Sequence, residues 1–239
     1  MKNYLTLVFF LIAFTNLSLA QEYPNLKKDD SKDTDSDNTV FSAGTQLTFQ
    51  VINHAIPEDT MTVQYAVLSI KKKDKTNKQQ TEVGITYSYS KNLLEQTGIA
   101  ETDENLWIHP PRNGQFKVLE VYPFPYIKHN LKSWSDQLQI GGHWMDSIDN
   151  NTRITLNLEY SYTGIESIQS PIGNLECSVI KATSKSELGQ FNLTSYYHEM
   201  YGFVKLLYES NNKPTFEFLL SEMKKGPAIT EPYELLFKK

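Results

Sequence analysis

Cysteine is almost missing from this chain. Cys177 is the only one in 239 residues, so no intramolecular disulfide can form and the core alone must hold the fold. That excludes the small disulfide-stapled scaffolds. Cys177 alternates with Leu175 and Val179 on an apolar strand face, the setting of a buried, inert thiol rather than a nucleophile. Catalytic signatures are missing too: there is no G-x-S-x-G elbow, no H-E-x-x-H pair and no phosphate-binding glycine loop. The histidines His54, His109, His129, His143 and His198 never fall at helical ligand spacing. With a formal net charge of -5 and no basic stripe, nucleic acid is not an expected partner. No metal and no cofactor is expected.

A long apolar run occurs once, at the start. Lys2, the run Leu5 to Phe14 and the small-x-small site Ser18-Leu19-Ala20 read as an export leader, residues 1–20, cleaved after Ala20. The run is shorter than the roughly 20 apolar residues a membrane-spanning helix needs, so no transmembrane segment is expected after cleavage. No cysteine follows it to take a lipid. The expected location is periplasmic or secreted. Residues 21–40 read as a disordered acidic linker, since Lys27 to Asp37 has no apolar residue to offset the entropy of ordering. Asp33, Asp35 and Asp37 begin like a calcium loop, but Asn38 replaces its glycine and Gly44 its final glutamate. The rest, residues 41–239, reads as a single domain.

From Gly44 onward the dominant period is two. Leu47, Phe49 and Val51 alternate with polar neighbours, and so do Val83, Ile85, Tyr87 and Tyr89. The cleanest case is Ile154, Leu156, Leu158, Tyr160 and Tyr162, which Thr163-Gly164 is expected to turn. Met61 to Ile70 switches apolar phase near Val67-Leu68, which predicts a bulge or burial on both faces. Lys71 to Lys78 reads as a polar hairpin tip and Lys91 to Gly98 as a short helical turn. Leu106 to Ile108 and Phe116 to Tyr122 read as short strands. Pro123-Phe124-Pro125-Tyr126 is a corner that cannot sit inside a central strand. Ile127, Leu131, Trp134 and Leu138 fit a helical stripe, while Trp134, Leu138 and Ile140 also fit a strand ended by Gly141-Gly142; the strand is preferred. Leu175 to Ser184, Gln190 to His198 and Phe203 to Tyr208 follow the turn Pro171 to Asn174. Phe216, Phe218 and Leu220 mark a last strand, and Leu235-Leu236-Phe237 would dock on the body.

About ten strands with short connections and no βαβ alternation give an all-β, antiparallel meander. A sheet of that size curls or closes, so the expected architecture is a large curved sheet or incomplete barrel. Rings crowd its irregular middle. If that segment caps one end of the sheet, Trp107, Tyr122, Phe124, Tyr126, Trp134, His143 and Trp144 are the candidate ligand-binding residues. Packing of a wide core is the competing use of those rings. His143 with Asp146 is the best local polar pair, and a hydrogen bond within a loop is its simplest role.

Ser170-Pro171-Ile172-Gly173-Asn174-Leu175-Glu176-Cys177, Leu193-Thr194-Ser195-Tyr196-Tyr197 and Tyr201-Gly202-Phe203-Val204-Lys205-Leu206 resemble a group of exported proteins of unknown function from Bacteroidetes-type bacteria. That group is itself similar to the domain-of-unknown-function 3108 (TapB-like) β-fold proteins. Leu138-Gln139-Ile140-Gly141 and His143-Trp144-Met145-Asp146 fit the same pattern, and the likeness spans Leu106 to Tyr208. It implies an exported antiparallel β structure related to cradle-like, lipophile-holding folds, and it carries no catalytic residues. The functional expectation is therefore a monomeric, non-enzymatic binding protein for a lipophilic small molecule or a cell-envelope component. The alternatives are a hydrolase of envelope lipid or glycan, centred on His143 and Asp146, and an adaptor using the acidic arm.

Overall fold

The computed structural model describes residues 40–57, 60–73, 79–141 and 153–236. The expected leader, the linker up to residue 39, His143, Trp144, Asp146 and Phe237 lie outside the described residues, as does most of the Lys71 to Lys78 tip. The chain forms β1 (Thr45–Asn53), β2 (Thr60–Lys73), β3 (Gln79–Tyr87), β4 (Ser90–Glu101), β5 (Asn105–Ile108), β6 (Tyr126–Lys128), β7 (Ser133–Gly141), β8 (Arg153–Ser170), β9 (Gly173–Ser186), β10 (Gly189–His198), β11 (Gly202–Ser210) and β12 (Lys213–Lys225). These make one twelve-stranded sheet in the order β6-β5-β4-β3-β2-β1-β12-β11-β10-β9-β8-β7. Consecutive strands neighbour each other everywhere but between β6 and β7, and one non-consecutive pair is added. β1 pairs with β12, in antiparallel register from Thr45 opposite Lys225 to Asn53 opposite Phe216. Among the described residues β6 and β7 are the two edges, although only four residues separate them in the chain. The result is an all-antiparallel, nearly closed barrel whose seam lies between β6 and β7.

Alternation explains most of the core. β1 buries every second residue, Leu47, Phe49 and Val51, against Tyr65, Val63 and Met61 of β2. The phase switch in β2 has both expected causes. Its register slips between Val67 and Lys71, and Leu68 on the outer face is covered by the C-terminal tail. Ile229 bridges to Leu68, and Leu235, from the 3-10 turn Pro232–Leu236, joins Ala66, Leu68 and Ile229 in a second small cluster. Gly84 permits this docking, since a methyl group there would lie 2.5 Å from Leu235 Cδ1.

Three local expectations are corrected. Lys91 to Gly98 is not a helical turn but part of β4. Its buried face carries Glu95 and Thr97 opposite Ile85 and Val83, and polar residues at inward positions hide a period of two. Phe116 to Tyr122 is not a strand but largely the 3-10 segment Gly114–Val121. Phe116 is buried, Val118 is 38 % exposed and Leu119 to Tyr122 are buried in succession, which is not the alternation of a half-buried strand. Thr163-Gly164 does not end β8: the register shifts there, Gly164 sits at φ +141°, and the strand runs on to Ser170. It is a bulge within a long strand.

Candidate functional site

Each end of the barrel is closed by a piece of chain from outside the sheet. At the entry end, where β1 begins, Val40 and Phe41 are buried and lead into Thr45. Their backbone N–H groups both donate to the Glu101 carboxylate, at 2.9 and 3.0 Å. Burial raises the Glu101 pKa, and those two hydrogen bonds oppose the rise. Gly44 then turns at φ +86° and donates its N–H to the Val67 carbonyl at 3.0 Å. A side chain at Gly44 would meet the Gly226 carbonyl at 2.3 Å.

The opposite end is capped by residues 109–125, which leave β5, cross the mouth and return as β6. Phe116 enters among Tyr87, Phe216 and Phe218, with ring centroids 5.8, 5.3 and 5.7 Å away. Tyr122 packs on Phe191 and Tyr208 at 4.9 and 5.5 Å, and its hydroxyl meets Thr215 Oγ1 at 3.1 Å. Ser184 donates to the Val121 carbonyl, and Asn53 Nδ2 donates to Gln115 Oε1. Phe49, Tyr65, Tyr208 and Phe218 fill the space beneath with edge-to-face contacts. Aromatic pairs of this geometry each add about 0.5–1.5 kcal/mol beyond area burial.

A buried polar cluster fastens this cap to β4. Glu95 accepts hydrogen bonds from the Tyr87 hydroxyl, from Asn113 Nδ2 at 2.7 Å and from the Arg112 N–H at 3.2 Å. Arg112 Nε lies 3.3 Å from its other oxygen. Burial pushes the Tyr87 hydroxyl pKa far up, and Glu95 adds to the rise. Beside this group, His109 Nε2 lies 3.5 Å from Glu120 Oε1. His109 Nδ1 is 2.7 Å from the Pro110 carbonyl. A carbonyl can only accept, so Nδ1 carries the proton and Nε2 turns its lone pair to Glu120. Burial lowers His109 to about 4, with Arg112 helping and the Pro110 bond opposing. Burial raises Glu120 to about 7, opposed by Arg112 and reinforced by Glu95. Between about pH 4 and 7 the pair is a protonated carboxyl facing a neutral imidazole, and near neutral pH the carboxyl is losing its proton. As a clasp it is loose: the Nδ1 proton goes to the Pro110 carbonyl, while the buried Glu120 Oε1 makes no hydrogen bond among the described residues and meets Nε2 only at 3.5 Å.

The open feature at the cap end is a depression of about 350 Å³ lined by Asn53, His54, Ala55, Gln115, Val118, Tyr122, Pro214, Thr215 and Phe216. Tyr122 and Phe216 give it an aromatic floor, and amide, imidazole and hydroxyl groups ring it. His54 also faces Glu217, with Nε2 3.7 Å from Oε2. Of the candidate residues that are described, only Tyr122 lines this depression. Trp107 is half-buried against Phe124 and His109, at 5.6 and 5.9 Å, and Phe124 is buried. Tyr126 meets Trp134 and Tyr160 edge-on at 5.8 and 5.5 Å, while Trp134 stacks on Tyr160 at 5.2 Å with the rings 4° from parallel. Trp107 and Tyr126 are register partners, so these rings form one wall along the seam. His143 and Trp144 lie outside the described residues. Sequence reasoning missed Asn53, His54, Gln115, Thr215 and Phe216, which come from three distant segments. The one local sign was a polar Asn53-His54 pair ending an apolar strand.

Cys177 is buried, and burial raises its thiol to about 11. Among the described residues no group of three or more His, Cys, Asp or Glu side chains could hold a metal ion, and no helix is long and apolar enough to cross a membrane.

No protein-family profile and no curated protein matches this chain. Solved structures do resemble it. A protein assigned as exported, with a YmcC-like fold, from Bacteroides fragilis is 14% identical over 77% of this chain and 97% of its own, with a TM-score of 0.46. A protein assigned as a lipoprotein from Parabacteroides distasonis is 15% identical over 77% of this chain and 96% of its own, with a TM-score of 0.47. The hypothetical lipoprotein YmcC from Escherichia coli is 13% identical over 77% of this chain and 90% of its own, with a TM-score of 0.36.

Proposed function

We propose that the protein is an exported, non-enzymatic binding protein of the cell envelope, and that its ligand seats at the cap end rather than inside the barrel. The carrying observation is the depression of about 350 Å³ over Tyr122 and Phe216. Its volume falls within the roughly 300–1,000 Å³ common to small-molecule sites, and apolar floors ringed by a few polar groups are their usual lining. The barrel axis is filled by Phe49, Tyr65, Tyr208, Phe218 and the inserted Phe116, which speaks against a lipid chain threaded along it. A small amphipathic component fits better: an apolar part on the rings and a polar part toward His54, Asn53 and Gln115. Export rests on Lys2, the Leu5 to Phe14 run and the Ser18-Leu19-Ala20 site.

Native mass spectrometry of protein purified from its own host tests this reading. Val118 is 38 % exposed on the rim, so Val118→Trp fills the depression without disturbing the core. The wild type should carry a small co-purifying species that Val118→Trp loses. Equal loading of the two proteins, or none in either, would overturn the proposal.

A further inference from the structure

β7 ends the sheet, with no strand beside it among the described residues. β6, its neighbour in sequence, does not pair with it. The chain around β6 instead passes over the buried face: Tyr126 rests edge-on against Trp134 and Tyr160, and the Tyr160 hydroxyl donates to the Phe124 carbonyl at 3.3 Å. Ser135, Asp136 and Gln137 are consecutively exposed, as happens when both faces of a strand meet solvent.

The direction of the backbone groups follows from one bond. The Tyr162 N–H donates to the Lys132 carbonyl at 2.8 Å, and the pairing runs on from Ser133 opposite Ser161 to Gly141 opposite Arg153. In an antiparallel ladder, alternate residues turn their N–H and C=O to one neighbour. Trp134, Asp136, Leu138 and Ile140 therefore face β8, and Ser133, Ser135, Gln137, Gln139 and Gly141 face outward. The Gln137 N–H agrees, since it is held by its neighbour Asp136 Oδ1 at 2.7 Å and not by β8. An edge of about 30 Å thus offers a row of backbone donors and acceptors, the usual template for another strand.

We propose that this edge docks a second copy of the chain, two β7 strands pairing antiparallel about Gln137 to join the two sheets. This register places Gln137 on its own copy, Ser135 opposite Gln139 and Ser133 opposite Gly141, so every outward residue lies in a hydrogen-bonded pair. Trp134 then faces Ile140 and Asp136 faces Leu138, with no like charges directly opposed. The hydrogen bond that Gln137 Nε2 donates to Asn157 Oδ1, 2.9 Å, extends across the axis into a four-amide row. Such an interface is isologous and closes on itself. A single strand pair buries less than the roughly 1,200 Å² of a standard interface, so the dimer is weak and concentration-dependent. The Asp136 carboxylate restrains it by occupying the Gln137 N–H.

Sedimentation velocity across a concentration series, with single-cysteine crosslinking, tests the proposal on the full exported chain. Gln137→Cys should form a disulfide-linked dimer under mild oxidation, because hydrogen-bonded partners lie about 5.5 Å apart at Cα, within disulfide range. Ser135→Cys should not, since its partner is Gln139. Gln137→Pro, which removes the N–H at the axis, should lose the dimer while keeping the far-ultraviolet spectrum. Asp136→Ser should tighten it several-fold. A wild type that stays monomeric throughout, or Gln137→Cys linking no better than Ser135→Cys, would overturn the proposal. So would a dimer that persists in Gln137→Pro.

Discussion

The Glu120–His109 clasp makes a prediction that its two members oppose. The slope of unfolding free energy with pH is 2.303RT times the protons bound by the unfolded chain minus those bound by the fold. Glu120 titrates near 7 when folded and near 4.3 when unfolded. The fold holds the extra proton in that window, so this group's contribution falls as pH rises. His109 titrates near 4 when folded and near 6.5 when unfolded. The unfolded chain then holds the extra proton between 4 and 6.5, and this contribution grows with pH. Each window spans about 2.5 pH units at about 1.4 kcal/mol per unit, or roughly 3 kcal/mol. Both side chains are mostly shielded, at 13 % and 3 % exposure, so solvent screening removes little of this. In the wild type the two slopes cancel between about pH 4.5 and 6.5. Substitution breaks the cancellation. Relative to wild type, Glu120→Gln should gain about 3 kcal/mol between pH 4.5 and 7, and His109→Gln should lose about 3 kcal/mol between pH 4 and 6.5. Urea denaturation at half-unit pH intervals reads both differences directly. Two variants that parallel the wild type at every pH would refute the buried neutral pair.

Three further outcomes follow from the packing. Gly44→Ala should cost about 1–3 kcal/mol from the positive φ alone, and more from the collision with the Gly226 carbonyl; the urea midpoint reports it. Phe116→Ala should cost about 3–5 kcal/mol, because the ring is fully buried among Tyr87, Phe216 and Phe218; thermal unfolding should shift downward without loss of the β spectrum. Cys177 should resist a thiol reagent in the native protein at pH 8 and react fully in denaturant, given its burial and its raised pKa.

Where one strand face is apolar and the other polar, the fold was legible from sequence. β1, β3 and β8 as far as Tyr160 follow their alternation closely, whereas β9 buries both Val179 and Ile180 and β10 buries Leu193, Thr194 and Ser195 in succession; the phase switch in β2 marked a real bulge and a covered outer face. Legibility failed where a buried position holds a polar group. Glu95 and Thr97 disguise β4 because their partners, Tyr87 and the cap residues Arg112 and Asn113, lie elsewhere in the chain. The cap itself was misread because a short apolar run such as Phe116 to Tyr122 suits a buried 3-10 segment as well as a strand. Pairing of β1 with β12, and with it the position of the seam, depends on contacts between the chain's two ends, which no local pattern encodes. Of the rings in the aromatic middle, Trp107 packs on Phe124, and Tyr126 and Trp134 pack on each other and on Tyr160. The depression beside Tyr122 draws its remaining walls from three separate turns.

The β1–β12 pairing has a consequence for how the protein folds. Thr45 lies opposite Lys225, and the Gly226 N–H donates to the Gly44 carbonyl at 3.0 Å, so the ends of the folded body are spatial neighbours. Most other ladders form between consecutive strands and cost little loop entropy, whereas this one closes nearly the whole chain and is of the kind that slows folding. A circular permutant that links residue 236 to residue 40 through a flexible linker, keeping the buried Val40, Phe41, Ile229 and Leu235, and opens at the Asn211-Asn212 turn would convert that closure into a much shorter loop. It would keep the same barrel and fold faster, with the slow step moved to the newly opened pair.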